Sequence, residues 1–140
     1  MCFGPPDLPT AQCMTSCQTD GYCFSADYRC SRPGGICYLA AKIAPNGVSV
    51  SPAAPKVGTP MTITVQPLPA GANYVYTFRV VTDAGNFRLP CQLVTSKTCS
   101  YTPVATDIGP ASVTVFAQAP SAQNGYDTSQ TITTTIGAAQ

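Results

Sequence analysis

Along residues 73–82, NYVYTFRVVT, apolar and polar positions alternate: Tyr74, Tyr76, Phe78 and Val80 fall on one face, Val75, Thr77, Arg79 and Val81 on the other. The first set can enter a core while the second stays half exposed around a charge, which predicts a central strand. Residues 48–51 set Val48 and Val50 against Ser49 and Ser51, and Pro52 and Pro55 confine that strand to a sheet edge. Residues 61–66 place Met61, Ile63 and Val65 inward and Thr62, Thr64 and Gln66 outward. Residues 83–86 close a hairpin into residues 87–94, where Phe87, Leu89, Cys91 and Leu93 share a face. Further strands are expected at 99–102, 111–118 and 129–136; in the last, Ile132, Thr134 and Ile136 oppose Thr131, Thr133 and Thr135. The pattern predicts an all-β fold, an antiparallel β-sandwich of about seven strands over residues 45–140.

Residues 1–44 carry no such period. They hold Cys2, Cys13, Cys17, Cys23, Cys30 and Cys37 among many Gly and Pro, and Ala44-Pro45-Asn46-Gly47 reads as a break at the end of this part. A segment this short buries too little apolar surface to offset its chain entropy, so disulfides take the place of a core. The expectation is a loop-rich disulfide knot with one short hairpin, in which six cysteines leave fifteen pairings open. Cys91 and Cys99 bracket CQLVTSKTC and are expected to pair locally across a turn at residues 95–97. Eight cysteines, no Cys-x-x-Cys and no His favour disulfides over zinc, and hence a secreted or cell-surface protein whose signal segment has been removed.

Composition narrows the chemistry. With no His and no Glu, His-based nucleophile triads, zinc-protease helices and Glu acid–base pairs are excluded. The abundant Ser and Thr therefore have no activating partner, and an enzyme is not expected. Neither cofactor nor metal is implied. A net charge of +1, with basic residues scattered from Arg29 to Lys97, leaves no footprint for nucleic acid. No apolar run is long enough for a membrane span. Charged residues make up only 9% of the chain, so its surface tolerates close neighbours.

Two resemblances follow from particular residues. Ser51-Pro52, Val57 to Thr62, Tyr74 to Phe78, Cys99 to Pro103, and Gly109 with Val113-Thr114-Val115 make residues 50–136 similar to the Ig-like and fibronectin-like domains of bacterial secreted and surface proteins. This resemblance implies a fold rather than an activity. The buried Trp of immunoglobulins is missing, and Ala111 occupies the place of a tyrosine-corner Tyr. Cys17 to Cys30, CQTDGYCFSADYRC, resembles the middle of a hevein-type chitin-binding domain through Gly21-Tyr22-Cys23 and Ser25-Ala26-Asp27. That resemblance implies sugar binding, with Tyr22 stacking on a ring and Ser25, Asp27 and Tyr28 as further candidates; Asp20 replaces the family's first aromatic.

Together these features point to a non-enzymatic structural or adhesive subunit of an extracellular bacterial assembly, such as a filament, whose partners are further copies or neighbouring surface proteins. The alternative is a polysaccharide-binding module, for chitin or peptidoglycan, acting through the knot.

Overall fold

A computed structural model describes residues 28–30, 37–120 and 126–139. Among these residues nine strands follow one another: β1 (Tyr28–Cys30), β2 (Cys37–Leu39), β3 (Ile43–Ser51), β4 (Met61–Pro67), β5 (Val75–Thr82), β6 (Phe87–Val94), β7 (Thr98–Tyr101), β8 (Gly109–Gln118) and β9 (Thr128–Ile136). Among the described residues a 3-10 turn, Ala105–Asp107, interrupts them. Strands β1 and β2 form a small antiparallel pair of their own. The other seven build two antiparallel sheets, one ordered β3-β4-β7 and the other β6-β5-β8-β9.

Alternation explains why these sheets face each other. Met61, Ile63 and Val65 of β4 are buried, as are Tyr74, Tyr76, Phe78 and Val80 in and just before β5. Val113, Val115 and Ala117 of β8 and Ile136 of β9 join them in one cluster. Tyr74, Tyr76 and Phe78 pack edge to face or tilted along the cluster, with successive ring centroids 6.4 Å apart. The Tyr76 hydroxyl is buried without a hydrogen-bond partner, so burial, with the neighbouring Tyr74, raises its pKa.

Two expectations need correction. Residues 44–47 do not break the chain: they lie inside β3, whose register with β4 shifts between Ile43 and Val48. Asn46 takes φ 55°, and a Cβ on Gly47 would lie 2.6 Å from the Ala44 carbonyl oxygen, so the Asn-Gly pair makes a bulge. Nor do Phe87, Leu89, Cys91 and Leu93 share one face. Against β5, Tyr76, Phe78 and Val80 meet Val94, Cys91 and Arg88, so β6 advances three residues wherever β5 advances two. Each extra residue reverses the alternation, which leaves Phe87, Leu89 and Leu93 exposed while Cys91 and Val94 pack against the core.

Cys91 and Cys99 are bonded, as expected, with their Cα atoms 6.2 Å apart. Because β6 and β7 belong to different sheets, the bond joins the two layers along one side of the sandwich. Cys30 and Cys37 each take part in a disulfide as well, and among the described residues no cysteine is free.

Candidate functional site

The buried polar groups come first, because a catalytic group would be among them. Asp107, at the end of the 3-10 turn, is fully buried. It accepts hydrogen bonds from the Tyr101 hydroxyl, from the Val104 amide at 3.0 Å, and from Arg88 Nε and Nη2 at 3.3 and 3.2 Å. Burial alone would raise its pKa; the bonds from Tyr101, Val104 and Arg88 outweigh that and hold the carboxyl below its usual value. The Tyr101 phenol is pushed up to about 12, by burial first and by its bond to Asp107 second. Asn86 and Arg88 add bonds to the Thr106 carbonyl and hydroxyl. Every oxygen of the carboxylate is thereby committed, and the cluster ties the β7–β8 crossover to β6. A tyrosine does anchor a corner of the sandwich, but it is Tyr101 rather than a residue at position 111.

Asp127 plays a comparable part elsewhere. One of its oxygens accepts from the Tyr38 hydroxyl, and the other from the amides of Ala41 and Ala119 at 2.9 and 2.8 Å. It thus fastens the chain after β2 to the chain between β8 and β9. Among the described residues no group of His, Cys, Asp or Glu could hold a metal ion, and no helix is long and apolar enough to cross a membrane.

Of the sugar-binding candidates, Tyr28 lies within β1, half buried against the Cys30 and Cys37 cluster and opposite Leu39. Tyr22, Ser25 and Asp27 lie outside the described residues, as do Cys2, Cys13, Cys17 and Cys23.

The four sheet edges remain, and three are obstructed. Strand β3 carries Pro45 and its bulge. Strand β6 carries two register shifts, Pro90, and Leu93 at φ 50°. Strand β7 is only four residues long. Such features keep sheet edges from pairing with other chains. Strand β9 has none of them: TSQTITTTI contains no Pro, no Gly and no charge, and pairs one to one with β8 from Thr128↔Ala117 to Ile136↔Gly109.

Its inner side is held to the other layer by Gln130, which accepts from the Val48 amide and donates to the Ala44 carbonyl, and by Thr134, which donates to the Ala53 carbonyl. On the side away from β8, no described residue pairs with its backbone before Gly137, which bridges to Lys56. The alternating Thr and Ile were legible in the sequence; their place on an edge depends on the topology.

Neither a known protein family, nor a curated protein, nor a solved structure matches this chain.

Proposed function

We propose that the protein is a non-enzymatic structural or adhesive subunit of an extracellular bacterial assembly, and that copies join along β9. The open β9 edge carries this reading. A nine-residue edge whose outer N–H and C=O groups have no partner among the described residues is a template for another strand, and antiparallel pairing of identical strands makes a self-complementary, two-fold interface. Since β9 has no charge, two copies meet there without repulsion. The division into three and four strands, with crossovers after β4, β6 and β7, supports an Ig-like or fibronectin-like sandwich as the scaffold. The disulfides at Cys30, Cys37, Cys91 and Cys99 support an oxidising, extracellular setting.

Sedimentation velocity with negative-stain microscopy tests the reading on native protein and on a Thr133→Lys/Thr135→Lys variant. Both threonines are exposed on the outer face of β9, so the substitutions leave the core intact. Wild type should sediment as particles larger than the 14.5 kDa chain, and the lysine variant as a monomer with an unchanged circular dichroism spectrum. A wild type that stays monomeric at high concentration overturns the proposal.

A further inference from the structure

The outer face of the four-stranded sheet presents a second surface, separate from the β9 edge. Val75, Thr77, Arg79 and Val81 lie on the side of β5 away from the core, opposite Gln118, Phe116, Thr114 and Ser112 of β8; Thr77 and Thr114 are themselves covered, while Val75, Arg79 and Val81 are half-buried. Beyond them, β9 contributes Ser129, Thr131, Thr133 and Thr135. Arg79 is the only charged side chain among these positions, and among the described residues it has no carboxylate partner.

Instead, its guanidinium sits between two rings, with Cζ 5.7 Å from the Phe87 centroid and 4.8 Å from that of Phe116. Phe116 in turn packs on Tyr126, centroids 4.6 Å apart and planes 30° from parallel. Phe87, Arg79, Phe116 and Tyr126 thus form a row across the sheet, and both ends of the row are open: Phe87 is 59% and Tyr126 44% exposed. Arg79 Nε is enclosed without a hydrogen-bond partner, which leaves the Nη donors as the binding end of the fork.

We propose that this row binds an acidic polysaccharide. A planar guanidinium held over two aromatic rings is restricted in its orientation and keeps the fork geometry that donates two parallel hydrogen bonds to a carboxylate or sulfate group. Exposed aromatic rings at the ends of the row offer flat apolar surfaces to the faces of sugar rings, and the hydroxyls of Ser112 and Thr133 on the same face can exchange hydrogen bonds with those of a sugar. The charge chooses the ligand. On a face with a single cation and no acid, an anionic polymer gains a partner that a neutral one does not. The site does not rest on β9 pairing, because it occupies a face rather than an edge.

Affinity electrophoresis of the full, disulfide-intact protein through gels containing polygalacturonate, dextran sulfate or neutral dextran tests this, with Arg79→Gln and Phe87→Ala as variants. Both variants leave β9 untouched, and Phe87 is exposed enough that its truncation does not endanger folding. Retardation by at least one of the acidic polymers and not by neutral dextran is expected, with affinity lowered roughly tenfold or more in Arg79→Gln and measurably in Phe87→Ala. Polygalacturonate and dextran sulfate separate a carboxylate from a sulfate ligand, and either result supports the site. Absence of retardation by both acidic polymers overturns it, as does equal retardation of wild type and a folded Arg79→Gln protein.

Discussion

Removing the buried Asp107 carboxylate should cost the sandwich a large share of its stability. Asp107→Ala leaves the Tyr101 hydroxyl and the Val104 amide facing a space that had held an ionised acceptor. Hydrogen bonds to a charged group contribute about 1.5–3 kcal/mol each, and breaking a buried charge cluster costs about 3–5 kcal/mol. Arg88 is a third exposed and adds little, because solvent screens it. The expected loss is therefore about 3 kcal/mol for Asp107→Ala, and about 2 kcal/mol for Asp107→Asn, which keeps the shape and one acceptor oxygen. For a domain of this size, 3 kcal/mol corresponds to a fall in Tm of roughly 15 °C.

Urea unfolding across a pH series measures the effect and checks its origin. The folded carboxyl has a lowered pKa, so its stabilisation is complete above the unfolded value of about 3.9 and disappears as pH falls through the folded one. The gap between wild type and Asp107→Asn should be full at neutral pH and should close in acid. A folded Asp107→Asn protein within about 0.5 kcal/mol of wild type at neutral pH, the range of an ordinary surface change, would refute the reasoning.

The same corner should respond to base. Tyr101 has a raised folded pKa, so its contribution is intact below about pH 10 and lost as pH climbs toward the folded value of about 12. Absorbance titration of Tyr101→Phe against wild type should remove one late-ionising phenol; an unchanged titration curve counts against the assignment. In the core, Tyr76→Phe discards a hydroxyl with no partner and should raise stability by about 1 kcal/mol in urea. A loss of stability there would mean that the hydroxyl is satisfied. Replacing Cys91 and Cys99 together by Ala should cost about 2.5 kcal/mol on the chain-entropy estimate for so short a loop; a double variant as stable as wild type would show that the bond between the layers does not constrain the chain.

The core was readable wherever one residue opposed one residue. Tyr74, Tyr76, Phe78 and Val80, and likewise Met61, Ile63 and Val65, are buried as their alternation implied. Strand β6 misled because two extra residues reverse the parity within eight positions, and such bulges leave no period of their own. Pro45-Asn46-Gly47 misled for the opposite reason. Those residues usually end an element, yet here β4 supplies a partner on either side of the bulge and the strand continues through it. Asp107 sits at a turn, where Asp ordinarily bonds a backbone amide, but Arg88 lies nineteen residues earlier and reaches it only because the chain crosses between sheets. The row around Arg79 was hidden likewise, since Phe87, Phe116 and Tyr126 come from three separate segments.

The short contact between Lys56 and Gly137 governs how the sandwich would carry a mechanical load. Strands in that bridge run parallel, with Gly137 donating to the Pro55 carbonyl and the Val57 amide donating to the Gly137 carbonyl. Tension applied through the chain on either side of the sandwich draws the two segments in opposite directions along their length. Both bonds are then sheared together rather than opened in turn.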